Sequence, residues 1–318
     1  MTTARLRQRG AALLTAMLIV TLVASLSAAM VWRQYRAVQI EAAERARAQG
    51  AWILQGALDW ARLILSEDAR AKRNEPVDHL GEVWAVPLAE ARLSTFLAAE
   101  SGSGVSAADD GPEAFLSGLI EDAQSRYNLR NLIESGEGAA RETATLTRLC
   151  ETAGVGAHNV ALIANGLRAA YASQGDSSGA PLRPQSVAQL SWLGVDADTV
   201  RRLQPLVTLL PKPTPLNLNT ASREVIAAVL GVDLASAQAI VQRRRNQPLK
   251  ALDAAAALLP QGTALENQRA AVDSSYFYVQ ARMRLDERVL EERALIWRDG
   301  MAMKVVQRER VNLALGRS

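Results

Sequence analysis

The hydrophobic and polar positions divide the chain into an apolar N-terminal run, a helical middle and a C-terminal region of strands. Residues 10–32 contain no charged side chain. An apolar helix of this length can span the roughly 30 Å hydrocarbon core of a bilayer, whereas a cleaved secretory signal usually has a shorter apolar core. Because no proline interrupts the sequence up to Arg70, we expect one continuous helix that stays as a membrane anchor.

The second half of this helix is predicted to be amphipathic. Leu54, Leu58, Ala61 and Leu65 recur at spacings of three and four residues, with polar residues between them. Residues with this spacing share one helix face, so the face is expected to pack against another element. The polar residues around Pro76 are expected to end the helix.

The region that follows is predicted to be mixed. We expect a short second helix over 86–98 and a flexible loop over the Ser- and Gly-rich residues 101–112. Residues 115–133 alternate loosely between apolar and polar side chains, which predicts one or two strands with a turn near Asp122–Ser125.

Helical patterns dominate residues 138–268, and they contain an internal repeat. The tetrapeptide Leu-Gly-Val-Asp begins at Leu193 and again at Leu230. In each copy a helix is expected to end at the glycine, and Asp196 or Asp233 is expected to cap the helix that follows. The sequence therefore predicts a helical domain with a repeated hairpin.

After Asp273 the pattern changes to the period of two that is typical of strands. Three such segments follow one another: 275–285, 289–299 and 301–310. The Arg-Asp-Gly sequence at 298–300 predicts a tight turn between the last two. The order of elements predicts an α+β fold, with an antiparallel sheet packed on the long helix and a helical domain inserted between early and late strands.

Charge limits the possible classes of function. The 318 residues carry a formal net charge of +3, which gives no general electrostatic footprint for nucleic acid. Arg5, Arg7 and Arg9 precede the apolar run, while Arg33 and Arg36 after it are soon balanced by glutamates. By the positive-inside rule, the N-terminus is expected in the cytoplasm and the body on the other side of the membrane.

Candidate catalytic residues are few. The single cysteine, Cys150, cannot form an internal disulfide and is expected to be a buried apolar thiol. His79 and His158 lie in unrelated contexts, and the sequence has no nucleophile-elbow, zincin, Cys-x-x-Cys or phosphate-loop motif. Paired acids such as Glu121-Asp122 are expected to be solvated. We therefore expect a protein that is not an enzyme.

The N-terminal segment resembles the type IV pilin class. It has a short basic leader that ends in Gly10, an apolar first half of the helix and an amphipathic second half. The resemblance implies that a prepilin peptidase cuts between Gly10 and Ala11 and methylates the new amine of Ala11. Pilins usually have phenylalanine at this first mature position, and Ala11 departs from that pattern.

Thr15, the fifth residue after the implied cleavage site, also departs from the pilin pattern. Pilins usually carry a glutamate there, and its carboxylate is thought to meet the N-terminal amine of the neighbouring subunit. A carboxylate in hydrocarbon is costly unless it is paired, so an uncharged Thr15 suits a subunit that starts a filament. The alternative is that Thr15 is an ordinary helix residue whose hydroxyl bonds its own backbone.

A wider resemblance samples the chain from end to end. The minor pseudopilin K family of type II secretion systems has similar segments: RQRGAALLTAMLIV, AERARAQGAWILQGALDWARLIL, IEDAQSRYNLRNL, LNLNTASREVIAAVLG and SSYFYVQARMRL. The resemblance implies a pilin-like fold interrupted by a large helical insertion. The expected divisions are a leader (1–10), a transmembrane half-helix (11–32), a pilin-like domain in two parts (33–137 and 269–318) and an inserted helical domain (138–268).

The resemblance also implies a function and partners. The protein is expected to be a minor pseudopilin at the tip of the pseudopilus, anchored in the bacterial inner membrane with its body in the periplasm. Expected partners are minor pseudopilins I and J, with H nearby, the prepilin peptidase and the inner-membrane assembly platform. The outer-membrane secretin and the exported protein are further partners that the resemblance allows. No cofactor is required; some family members bind calcium, but no full EF-hand loop assigns ligands here.

Residues 217–245 favour an alternative, a membrane-tethered DNA-binding protein of the competence type. This segment resembles a helix-hairpin-helix, in which a Gly-x-Gly hairpin offers backbone N–H groups to a phosphate. In this chain the hairpin is 231–233, and the charge of Asp233 opposes a phosphate. The three arginines at 243–245 also suit the negative end of a helix. We therefore expect a packing or protein-contact module rather than a nucleic-acid partner.

Overall fold

A computed structural model describes residues 6–94, 114–133, 138–172, 181–263, 265–285 and 288–314. Part of the predicted leader (1–5), the end of the predicted second helix (95–98) and the predicted loop (101–112) lie outside these ranges.

Helix α1 covers Leu6–Ala71 without interruption, as the proline-free sequence predicts. The chain divides into two compact units, Met1–Gln55 and Gly56–Ser318. The first unit consists of the greater part of α1, and the second contains the sheet and the remaining helices.

The strands of the second unit are, in chain order, β1 (Leu88–Arg92), β2 (Ala114–Asp122), β3 (Tyr127–Asn128), β4 (Val207–Thr208), β5 (Leu216–Asn217), β6 (Ala270–Ala271), β7 (Tyr276–Leu285), β8 (Arg288–Asp299) and β9 (Ala302–Ala314). Five of them form an antiparallel sheet in the order β1-β2-β7-β8-β9. Strands β3 and β4 form a short parallel pair, as do β5 and β6. The strands predicted after Asp273 are confirmed, and Gly300 adopts a positive φ of 59° in the turn between β8 and β9.

The predicted helix over 86–98 is wrong for residues 88–92, which form strand β1. In this strand Leu88 lies opposite Gly118 of β2, and Arg92 lies opposite Phe115. The segment consists of residues with good helix propensity, but that preference amounts to a few tenths of a kcal/mol per residue. The free edge of β2 offers backbone N–H and C=O groups that need partners, and pairing with them outweighs the propensity.

The central strands of the sheet are covered on both faces. On one face, Leu58, Ala61 and Leu65 of α1 belong to the same buried cluster as Phe277 and Ile296 of β7 and β8. The predicted amphipathic stripe of α1 is therefore confirmed for its part within the second unit. The opposite face packs Tyr276 and Leu295 against Ala123 and Leu210, which belong to the region between β2 and β7.

The helices between β2 and β7 form a second core. They are α2 (Gly138–Thr152), α3 (His158–Tyr171), α4 (Ala197–Leu203), α5 (Arg223–Leu230), α6 (Leu234–Asn246) and α7 (Asp253–Ala256). Their apolar side chains, such as Leu149, Ile163, Leu167 and Ile226, are fully buried in one continuous cluster. The prediction that helices dominate this region is confirmed, although the first repeat begins with a 3₁₀ helix, Val187–Leu193.

Candidate functional site

The N-terminal part of α1 is the only helix in the described residues that is long and apolar enough to cross a membrane. Its most apolar window has a mean hydropathy of 2.2, and none of that window is buried by the rest of the protein. Gly10 and Ala11 lie within the helical backbone, so the predicted cleavage site is part of α1. A helix with this exposed apolar surface fits a single-pass anchor.

Thr15 is exposed on α1, and its hydroxyl bonds the helix backbone. Its Oγ1 donates to the carbonyl oxygens of Ala11 at 3.1 Å and Ala12 at 2.9 Å. The local backbone therefore satisfies Thr15 without a partner from another subunit. Its role as a marker of a filament start stays a prediction.

The two Leu-Gly-Val-Asp hairpins have the predicted geometry. Gly194 and Gly231 adopt positive φ angles of 88° and 69°, a conformation that glycine reaches without steric cost. The Asp196 carboxylate accepts a hydrogen bond from the Thr199 backbone N–H, and Asp233 caps α6 in the same manner. The repeat is therefore a pair of capped helix starts.

These caps leave no free phosphate site at the second hairpin. The Asp233 carboxylate accepts from the backbone N–H groups of Ala235 and Ser236 at 2.9 Å each. The hydrogen bond from Ser236 is the main cause that lowers the pKa of Asp233, so the group is anionic at neutral pH. In the hairpin itself, the backbone N–H groups of Gly231 and Val232 bond the carbonyl oxygen of Ala227. A phosphate there would meet donors that are already used and the negative charge of Asp233.

The arginines at the end of α6 are also largely engaged. Arg244 donates to the carbonyl oxygen of Leu218, and burial lowers its pKa to about 10. Arg243 donates to both the backbone and the side chain of Gln247. Of these three arginines, Arg245 is exposed, and the other two are partly buried. This cluster mainly stabilises its own helix end.

A buried polar network joins the sheet to the inserted helices at the end of β2. The Asp122 carboxylate is 3 % exposed and accepts hydrogen bonds from Thr220 Oγ1 at 2.5 Å, Ser274 Oγ at 2.7 Å and Asn217 Nδ2 at 2.9 Å. Its other oxygen accepts from the backbone N–H of Gln124 at 2.7 Å. Asp122 therefore links the sheet strands β2 and β7 to the segment that leads into α5.

Asn217 and Asn219 extend this network into the insert. The Asn217 amide also donates to the backbone carbonyl of Asp78 at 3.0 Å. Asn219 bonds the backbone N–H and carbonyl of Leu249 and the carbonyl of Val272. These side-chain amides provide hydrogen-bond partners for backbone groups that lie outside the bonding patterns of the helices and strands. Their contacts fix where the inserted helices join the sheet.

This junction was not predicted from the sequence, because Glu121 and Asp122 were expected to be solvated. Glu121 is exposed, but Asp122 is buried because consecutive strand residues point to opposite faces. A signal was present in the run Leu-Asn-Leu-Asn-Thr at 216–220, where polar side chains that can bond a backbone alternate with leucine. Both asparagines and Thr220 are buried.

Burial raises the pKa of Asp122 to about 6 from its ordinary value of 3.8. Between pH 3.8 and about 6, the folded state therefore keeps a proton that the unfolded state has already lost. As a result, Asp122 makes the protein less stable as pH rises from about 4 to about 6. The change attributable to this group is about 3 kcal/mol.

We expect urea titrations of the full chain between pH 4 and 7 to show this fall in stability, and Asp122→Asn to make it shallower. An unchanged slope in Asp122→Asn would contradict the assignment.

A group of charges lies next to this junction, at the end of α1. Arg298 of β8 lies 3.2 Å from Asp68 and also pairs with Asp78, while its guanidinium lies 4.8 Å from the centre of the Phe277 ring. Lys72 lies 2.8 Å from Asp68 and also pairs with Glu82. Asp68, Asp78 and Glu82 are the described acidic residues whose oxygens lie close enough together to hold a metal ion.

These residues do not fit calcium as they stand. Calcium takes six to eight oxygen ligands, but each of the three carboxylates is already paired with the ammonium of Lys72 or the guanidinium of Arg298. A divalent ion would have to displace one of these cations.

The remaining candidates for chemistry are far from a catalytic arrangement. Cys150 is 1 % exposed, and burial raises its thiol pKa to about 11, so the predicted buried thiol is confirmed. His79 lies in the loop after α1, with its ring near Glu82, and His158 begins α3. Among the hydrogen bonds of the described residues, none joins either histidine to Cys150.

A helix whose first half is long and apolar enough to cross a membrane, and whose second half packs on an antiparallel sheet, is typical of a pilin-like subunit. A sequence model of the type II secretion system (T2SS), protein K, matches residues 216–273, which contain the junction asparagines and the second hairpin.

Comparison with known proteins identifies the family. The chain is 31 % identical to the type II secretion system protein K of Pseudomonas aeruginosa over 304 residues, which cover 88 % of this chain and 86 % of that protein. It is 27 % identical to the protein K of Pectobacterium carotovorum, with 96 % and 97 % covered. The chain belongs to the type II secretion system protein K family, the minor pseudopilins that carry a helical insertion.

A solved structure shows the same fold. The chain resembles one from the crystal structure of the GspK-GspI-GspJ complex of the enterotoxigenic Escherichia coli type 2 secretion system, with a TM-score of 0.61 and 19 % identity. The match covers 85 % of this chain and 98 % of that chain. The predicted fold class, a pilin-like α+β fold with inserted helices, is confirmed.

Proposed function

We propose that this minor pseudopilin forms the tip of the type II secretion pseudopilus. There it primes assembly of the filament that drives export of folded proteins across the outer membrane. The observation that carries the proposal is the match to nearly the whole of a chain solved in the GspK-GspI-GspJ complex. Minor pseudopilins I and J are the proposed partners in the tip, with H next to them.

The covered sheet supports a tip position on steric grounds. Filament subunits of the pilin class pack their first helices side by side, so each needs room for a neighbour. In this chain the insert occupies one face of the sheet, where Leu210 packs on Tyr276 and Leu295. A subunit of this bulk is accommodated best where no further subunit follows.

The anchor and leader support the route into the membrane. The proposed sequence is insertion of residues 11–32 in the inner membrane, cleavage between Gly10 and Ala11 by the prepilin peptidase, and methylation of Ala11. The body then lies in the periplasm, and the inner-membrane platform adds further subunits. An uncharged Thr15 fits the first subunit, since nothing above it offers an amine to a carboxylate. On the side of the periplasm that faces the outer membrane, the tip contacts the outer-membrane secretin or the exported protein.

The DNA-binding alternative has no support from the described hairpins. At the second hairpin the N–H groups of Gly231 and Val232 bond the carbonyl of Ala227, and Arg244 bonds a carbonyl within the protein. The segment instead contributes Ile226, Ala237 and Ile240 to the core of the insert. We infer that the hairpins serve packing and protein contact.

The test is co-purification of the tagged full chain with I and J from detergent-solubilised membranes. We expect all three to elute together, and Thr15→Glu to bind I and J as well as the unsubstituted chain, because Thr15 lies in the anchor. Failure to recover I or J with a folded chain would contradict the proposal, and a strong loss on Thr15→Glu would contradict this division of roles. Salt-dependent DNA binding without I and J would favour the alternative.

A further inference from the structure

Three carboxylates crowd together at the end of α1. Asp68, Asp78 and Glu82 have oxygens within 4.8 Å of one another. Their side chains are 13 %, 1 % and 7 % exposed. Like charges at this separation disfavour ionisation unless a cation lies between them. Burial raises the pKa values of Asp78 and Glu82, which is the direction that desolvation gives. The cluster therefore needs a positive charge.

Lys72 supplies that charge with the contacts of a bound cation. Its ammonium has three N–H donors, and the structure gives it three oxygen partners. These are Asp68 Oδ1 at 2.8 Å, the backbone carbonyl of Val77 at 2.9 Å and Glu82 Oε1. Two carboxylates and a backbone carbonyl are also the ligand types that calcium takes in proteins.

Arg298 covers the remaining acid. It pairs with Asp78 and lies 3.2 Å from Asp68. Lys72 and Arg298 together offset two of the three carboxylate charges, which weakens the electrostatic attraction for a divalent ion. One buried oxygen, Asp78 Oδ1, has no hydrogen-bond partner among the described residues. It is a spare ligand atom should one of the cations be removed.

We propose that Lys72 is a built-in cation that takes the place of a divalent metal ion among Asp68, Asp78 and Glu82, so that this cluster is stable without calcium. The ammonium ties the loop after α1 back to the end of that helix through Val77 and Glu82. Loss of this single positive charge converts the cluster into a divalent-cation site.

The test compares the full chain in detergent with Lys72→Met, which keeps an unbranched apolar side chain but removes the charge. The thermal midpoint of the unsubstituted chain is expected to be the same in EDTA and in millimolar calcium. In EDTA, Lys72→Met is expected to melt lower by about 5 °C or more, because the carboxylates lose their partner. Calcium is expected to restore the midpoint.

Terbium provides a direct readout of binding. The indole N–H of Trp84 bonds Glu82, so excitation of Trp84 can sensitise the luminescence of a terbium ion held by this carboxylate. We expect terbium luminescence in Lys72→Met. In the unsubstituted chain we expect no more luminescence than in the surface variant Lys250→Met. The double variant Lys72→Met/Glu82→Gln is expected to lose both the luminescence and the response to calcium.

Lys250→Met is the matched control. Lys250 lies 3.4 Å from Glu75, and both side chains are more than 70 % exposed. Its loss is expected to change neither readout. A calcium-dependent midpoint in the unsubstituted chain overturns the proposal, as does a folded Lys72→Met that ignores calcium. If Lys72→Met folds only with calcium present, the proposal is supported; if it folds in neither medium, the proposal fails.

Discussion

Gly10→Ala is expected to abolish cleavage of the leader, so that the chain stays at its precursor length and no longer supports secretion. Gly10 lies within the helical backbone of α1, and a peptidase needs this backbone opened and closely approached. Glycine weakens a helix by roughly 1 kcal/mol relative to alanine and has no Cβ to keep the enzyme away. The measurement is the electrophoretic mobility of the chain with active prepilin peptidase, together with the mass of its N-terminal peptide.

Gly56→Ala is the matched control for this prediction. Gly56 lies in the same helix, and a Cβ built on it meets nothing within 4 Å. This variant is expected to be processed normally, since it changes helix propensity far from the cleavage site. A mature form of normal mobility from Gly10→Ala would refute the cleavage claim.

Asn217→Ala is expected to lower the free energy of unfolding of the body by about 2–4 kcal/mol. The change removes a donor to the buried Asp122 carboxylate and to the carbonyl of Asp78. It also removes the acceptor for the backbone N–H of Asn219. Several buried polar groups then lose their hydrogen-bond partner, and water cannot take its place. Urea titration of the purified full chain, followed by tryptophan fluorescence, gives the difference.

Asn246→Ala tests whether that loss is specific to the junction. Asn246 is the last residue of α6 and is exposed, so its replacement is expected to change stability by no more than about 0.5 kcal/mol. Equal effects of the two substitutions would show that the Asn217 network contributes little.

Much of the fold follows from local patterns in the sequence. The apolar run and the absence of proline predicted α1, and the alternation after Asp273 predicted β7, β8 and β9. The glycine and aspartate of each repeat predicted the hairpins, because a positive φ and a helix cap depend on residues next to each other in the chain. The order of these elements predicted an α+β fold with an inserted helical domain, and the resemblance to a family added the pilin-like class.

Contacts between distant segments were harder to predict. Strand β1 was predicted as a helix because its pairing with β2 is invisible in its own residues. Asp122, Asn217 and Ser274 meet only after the fold has formed, although each is an ordinary polar residue in the sequence. The contact between Lys72 and Glu82 depends likewise on how the loop after α1 folds back.

The pairing of β2 with β7 has a consequence for how such a protein can change over evolution. Asp122 at the end of β2 lies opposite Phe277 near the start of β7, so residues 123–276 leave and rejoin the sheet at neighbouring points. The entropy of closing a loop grows only slowly with its length, by about 0.6 kcal/mol for each doubling. The insert can therefore lengthen, shorten or exchange its helices while the strand register stays the same. New residues in the insert then leave the pairing of β2 with β7 unaltered.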